Sequence, residues 1–165
     1  MMKKICIILY VSILFASCEK LFPDEKLKLE RMDYTGKELR TDGYYYYHWA
    51  SYNSPIENNT HVMFLFRNGI ILSAHSYSSI DLRDVEKKMI LEYDIIRKYK
   101  SGWGVFMVDR KEIICEQWST SVGGGLPVYE WKGKILNDTT IKEDNYVYHF
   151  RQFSPKPDST NNFIK

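Results

Sequence analysis

Few side chains in this chain are able to do chemistry, and they are scattered. Four histidines, His48, His61, His75 and His149, lie in strand-like stretches with no pair at a tight ligand spacing. If Asn68-Gly69 closes a two-residue hairpin, His61 and His75 become diagonal neighbours, but a metal would still need a third ligand. Glu112, Glu116 and Glu130 fall on different strands and turns, with no spacing that sets one as acid and another as base. Cys115 sits in Ile113-Ile114-Cys115-Glu116-Gln117-Trp118, where it reads as a small buried hydrophobe rather than a nucleophile. Gly123-Gly124-Gly125 lacks the lysine and helix of a phosphate cradle. The loop 119–127 reads instead as a mobile lid at one end of a domain. Aromatic residues are the positive signal. Tyr44, Tyr46, Trp103, Trp118, Trp131, Tyr148 and Phe150 are the candidates to line a cavity for a small apolar ligand. The expectation is a non-enzymatic protein with no catalytic residue, cofactor or metal.

The remaining reactive group is Cys18. Lys3 and Lys4, the apolar stretch Ile5 to Phe15, and the small pair Ala16-Ser17 have the layout of a secretory leader. That stretch is shorter than the roughly 20 apolar residues a spanning helix needs. Because Leu14-Phe15-Ala16-Ser17 ends in Cys18, the site resembles the lipobox of bacterial lipoproteins. The resemblance implies that residues 1–17 are removed as a lipoprotein signal peptide and that the Cys18 thiol carries diacylglyceryl, with palmitate among the chains. The protein is then expected in the bacterial cell envelope, lipid-anchored to the outer membrane. One acyl chain binds a membrane marginally, whereas two or three hold firmly.

Composition narrows the partners further. Of 165 residues, 23 are basic and 21 acidic, and loss of Lys3 and Lys4 with the leader leaves the charges balanced. Such a surface lacks the basic footprint of a nucleic-acid binder. Cys6 leaves with the leader and Cys18 is committed to lipid, so Cys115 has no disulfide partner. The domain must then rely on its apolar core, which suits 13 tyrosines, 8 phenylalanines and 4 tryptophans.

The elements that would position these residues follow from hydrophobic period. Residues 18–42 are charged and weakly patterned, with Pro23 near the start, and read as a lipidated tether that docks at most through Leu27, Leu29 and Met32. A domain over 43–153 opens with Tyr44-Tyr45-Tyr46-Tyr47-His48-Trp49, a strand with both faces partly covered. Residues 61–66 and 71–75 form a hairpin across Arg67-Asn68-Gly69-Ile70, with Asn68-Gly69 as a type I′ turn that sets Phe66 opposite Ile71, Phe64 opposite Ser73 and Val62 opposite His75. A helix is expected over about 80–99, capped by Ser78 or Ser79, with Leu82, Val85, Met89, Tyr93 and Ile96 as its apolar stripe. Period-two strands follow at 103–108, 113–118, 128–136, 139–143 and 146–153, with Asn137-Asp138 setting Lys132 opposite Glu143. Residues 154–165 read as a disordered tail.

Eight strands with one helix after the third give a mainly β fold, an antiparallel meander closing into a small barrel; a two-sheet β-sandwich is the alternative. The opening Leu39-Arg40-Thr41-Asp42-Gly43-Tyr44-Tyr45-Tyr46 is similar to that of small lipocalin-like lipoproteins. The functional expectation is an envelope lipoprotein whose barrel binds a small apolar ligand or a partner protein, with a ligand-free structural component of an envelope complex as the alternative.

Overall fold

The structure, a computed structural model, describes residues 23–51, 54–74, 76–122 and 124–165, with the backbone alone for 51 and 54–58. Strands β1 (Gly43–Ser51), β2 (Ser54–Leu65) and β3 (Ile70–Ser73) precede helix α1 (Leu82–Ile96). Strands β4 (Trp103–Asp109), β5 (Glu112–Trp118), β6 (Val128–Asn137), β7 (Thr140–Glu143) and β8 (Tyr146–Gln152) follow it. Each strand pairs antiparallel with the next, and β1 also pairs with β8, Tyr45 opposite Phe150. The sheet is therefore a closed eight-stranded barrel of the small lipocalin-like kind, and a sandwich is excluded.

Closure creates two cores, because side chains alternate across each strand. Inside lie Tyr45, Met63, Leu65, Ile71, Phe106, Ile113, Cys115, Trp131, Ile135, Ile141 and Tyr148. Outside, Tyr44, Val62, Phe64, Ile70, Leu72, Trp103 and Trp118 pack with Val85, Met89 and Ile96 of α1. That double burial explains why β1, the end of β2 (Val62–Leu65) and β3 read as nearly unbroken aromatic or apolar runs.

Three expected details differ locally. Phe64 faces Leu72 and Leu65 faces Ile71, one residue away from the register of a two-residue turn. The loop is three residues long: Phe66 N–H donates to Ile70 O at 2.9 Å, Gly69 N–H donates to Phe66 O at 3.0 Å, and only Gly69, at φ 74°, is left-handed there. A left-handed third residue lets the strands re-pair without the type I′ geometry. At the other hairpin Lys134 faces Lys142 and Ile135 faces Ile141, with a bulge before the Asn137–Thr140 pair. Thr139 N–H and Oγ1–H both donate to Asn137 Oδ1, which moves the turn one residue on. Lys132 is not opposite Glu143, whose side chain turns into the barrel with Ile141. The helix cap is Asp81, whose carboxylate accepts from Arg83 N–H at 2.9 Å, while Ser79 Oγ accepts from Asp81 N–H.

The flanking segments also differ from expectation. From Asp24 onward the N-terminal segment is a docked strap rather than a free tether. Glu25 N–H donates to Leu126 O, Trp118 Nε1–H donates to Glu25 O, and Glu116 accepts Lys28 N–H at 2.6 Å and Leu29 N–H at 2.9 Å. Leu27 packs against the outer core as expected, Met32 stays exposed, and the most deeply buried anchors are Tyr34 and Leu39. Residues 154–165, expected to be disordered, run back along the outer wall. Lys156 Nζ donates to Thr41 O and Leu65 O, Tyr93 OH donates to Pro155 O, and Phe163 and Ile164 join the outer core. Polar composition hid this docking, because the segment is held by main-chain carbonyls and two apolar residues at its end.

Candidate functional site

The two ends of the barrel are chemically unlike. One end carries the β2–β3, β4–β5 and β6–β7 turns, and there the chain plugs its own interior. The Tyr34 ring meets Phe106 at a tilt, centroids 5.6 Å apart, and its hydroxyl accepts Leu39 N–H at 2.7 Å, while Tyr45 OH donates to Asp138 O at 2.9 Å. Tyr34 and Leu39 are both buried in the inner core.

The other end, bounded by the β1–β2, β5–β6 and β7–β8 connections and by the segment carrying α1, is lined by polar aromatic groups. The β7–β8 register, with Glu143 opposite Tyr146 and Ile141 opposite Tyr148, sets Glu143, Tyr146 and Tyr148 on the inner face. From β1 and β2, Tyr47 and His61 are directly paired and face the same way, with rings 5.2 Å apart. Tyr47 also touches Tyr146 at 4.5 Å and Tyr148 edge-on at 4.7 Å, and Tyr148 stacks on Trp131 at 5.9 Å with only 7° between the planes. Tyr148 OH donates to Glu143 Oε2 at 3.0 Å, and Tyr129 OH lies 3.5 Å from Glu143 Oε1.

Exposure is graded along this end. Trp131 and Tyr148 are buried and close the floor, Glu143 is 8% exposed just above them, and Tyr146 and Tyr129 form the lip at 45% and 52%. Burial raises the Glu143 carboxyl above its ordinary range, against the lowering effect of the two phenol contacts. Burial pulls the His61 imidazolium down to about 4, so the ring is neutral at pH 7. Burial and the nearby Tyr146 and Glu143 raise the Tyr47 hydroxyl to about 12. Below the lip, Ser73 Oγ donates to Gln117 Oε1 at 3.2 Å.

Of the seven aromatics expected to line a cavity, the structure puts Trp131, Tyr148 and Phe150 inside the barrel. Tyr44, Tyr46, Trp103 and Trp118 face outward, beneath α1, the strap and the tail, so the seven do not share one cavity. Trp103 Nε1–H donates to Arg97 O and Tyr44 OH donates to Glu86 Oε1, which are scaffolding contacts. Trp131 and Tyr148 belong to the polar mouth, and Phe150 lies nearer the plugged end, against Tyr45.

Tyr47, His61, Tyr129, Glu143 and Tyr146 were not expected at a site. The signal for Glu143 was its i+2 spacing from buried Ile141, which points both the same way. Cys115 is buried in the inner core, and burial pushes its thiol up. Glu116 and Glu130 are cross-strand neighbours on the outer wall, and Glu112 pairs with Lys134. His48 Nδ1 hydrogen-bonds Thr60 Oγ1 at 2.8 Å and the His149 ring lies near Tyr46, whereas His75, and with it the proposed His61 pairing, is outside the described residues. Among the described residues no three His, Cys, Asp or Glu side chains are grouped to hold a metal ion. The loop 119–127 does lie at the mouth end, with Leu126 N–H bonded to Asp24 Oδ1. Cys18 and the leader are outside the described residues, and no described helix is long and apolar enough to cross a membrane. No protein-family model matches the chain, and no curated protein or solved structure is significantly similar to it.

Proposed function

We infer that this chain is a non-enzymatic lipoprotein of the bacterial envelope, attached through Cys18, whose barrel takes a small, largely apolar ligand at the tyrosine-lined end. The observation that carries the reading is the asymmetry of the barrel. Tyr34 and Leu39 stop one end, while the other keeps a floor of Trp131 and Tyr148 and a lip of solvent-exposed phenol rings. A concave apolar wall with a few convergent polar groups is what small-molecule sites are made of.

The test joins the two halves of the proposal. Cells grown with labelled palmitate are fractionated, and the protein extracted in nonionic detergent is examined by native mass spectrometry. The expected result is label that disappears in Cys18→Ser, together with a mass excess from a co-purified small molecule. An unlabelled chain overturns the anchor, and an empty barrel overturns ligand carriage.

One observation favours a second reading, a structural component docked on another envelope protein. Leu91, Ile95 and Tyr99, spaced by four at α1 and its end, are 81%, 52% and 57% exposed. An empty barrel with photo-crosslinks from position 91 to one envelope protein is the outcome that reading expects.

A further inference from the structure

We propose that the barrel mouth is a receptor for an organic ammonium group, held by the Glu143 carboxylate and the rings of Tyr129, Tyr146 and Tyr47. The inference rests on the ligand-binding reading above and gives its ligand a charge. Three observations carry it.

First, Glu143 is nearly buried, and among the described residues its oxygens meet the hydroxyls of Tyr148 and Tyr129. Among the described residues it forms no ion pair, and no described lysine or arginine occupies an inward-facing strand position; Lys132, Lys134 and Lys142 all alternate outward. A carboxylate taken out of water without a counter-charge is held at a cost that a bound cation relieves.

Second, the surroundings are those a cation prefers. Aromatic faces carry negative potential and attract a cation within about 6 Å of the ring centroid, most strongly when water is excluded. Tyr47 packs against both Tyr146 and Tyr148, with centroids 4.5 and 4.7 Å away, so the three rings are gathered on one side of the mouth. The Asp144 charge is also close enough to act on the Glu143 carboxyl. Among the described residues the inward histidine, His61, is neutral at pH 7 and adds no repulsion.

Third, the lip of this end is open to solvent. The exposed rings of Tyr129 and Tyr146 flank the carboxyl, and the buried Trp131–Tyr148 stack below it leaves an apolar floor. A metal ion fits poorly, since a single carboxylate and phenols do not supply the ligand number a hard cation takes. An alkylammonium or quaternary ammonium satisfies both the charge and the rings.

The full chain in nonionic detergent is titrated with choline and with its neutral carbon isostere, 3,3-dimethylbutan-1-ol, by NMR of the tyrosine rings. Choline is expected to bind at least tenfold more tightly, and Glu143→Gln is expected to erase that preference while the isostere is unaffected. Tyr146→Leu, at an exposed lip position, is expected to weaken choline several-fold, and keeps the test informative if Glu143→Gln fails to fold. A short-chain phosphatidylcholine added to the micelles separates a free ammonium ligand from a lipid headgroup, either of which supports the proposal. Equal binding of choline and its isostere overturns the charge assignment and leaves ligand binding standing. No response of the mouth tyrosines to either compound overturns this inference, while a mass excess on the purified protein would still uphold ligand carriage.

Discussion

Glu143 and His61 show how one barrel wall treats an acid and a base. Burial raises the carboxyl and lowers the imidazolium, so each is pushed toward its neutral form. The consequence for stability has opposite signs. A His61 value near 4 against an ordinary 6.5 means that its contribution is complete above pH 6.5 and is lost as pH falls toward 4. Glu143, raised, favours the fold at pH values below the ordinary carboxyl range and loses that contribution as pH rises through its own shifted value. The two are separated by comparing His61→Gln with the unaltered protein in urea unfolding from pH 7 to pH 4. The unaltered protein is expected to lose up to about 3 kcal/mol more over that span than the variant. Equal slopes would mean that the His61 ring is hydrated in the folded state. Neither residue was legible as part of a site, because Glu143 reads from its neighbours as one of an exposed charge pair with Lys132. A bulge of one residue near Leu136 separates the two readings, and nothing local in Asn137-Asp138 declares it.

At the scale of elements, period-two and period-three-to-four patterns located all eight strands and the helix, since each carries enough apolar residues to show its repeat; the exception in extent is β2, which starts at Ser54, seven residues before the apolar run at 61, in a polar stretch with no such repeat. What those patterns did not supply was sidedness. In Tyr44-Tyr45-Tyr46-Tyr47 every position is aromatic, so the alternation that normally tells core from solvent vanishes, and only the closed barrel shows Tyr45 and Tyr47 inward and Tyr44 and Tyr46 outward. Tyr44 and Tyr46, two of the four outward members of the expected cavity set, were misplaced for that reason. The strap was hidden too, because its attachments are main-chain groups of Lys28 and Leu29 caught by one side chain, Glu116, 2% exposed on the opposite strand. Glu116→Ala leaves both N–H groups without that acceptor and is expected to destabilise the fold by about 1–3 kcal/mol. Hydrogen exchange provides the check: amides 28 and 29 should exchange much faster in the variant, with the β4–β5 ladder unchanged. Unaltered protection at those two amides would show that the strap is held by Trp118 and Leu126 instead.

For the whole molecule, the notable property is that both termini of the described chain are structural parts of the barrel's outer shell. Phe163 and Ile164 cover the same outer core that α1 covers, and Arg97 is joined to Thr160 and Asp158. Deleting residues 158–165 is therefore expected to lower stability by about 2–4 kcal/mol through exposure of that surface. A urea midpoint unchanged by the deletion would show that these residues contribute nothing to the fold. The course of the strap has a further consequence for geography. Asp24 is fastened to Leu126 and Lys100 beside the tyrosine-lined opening, and the chain then descends the wall to the plug. With Cys18 as the point of acylation, five residues lie between it and Asp24, a leash of at most about 20 Å. The entrance would thus look down on the leaflet that holds it, and a guest with an oily tail would pass from bilayer to barrel without a journey through open water.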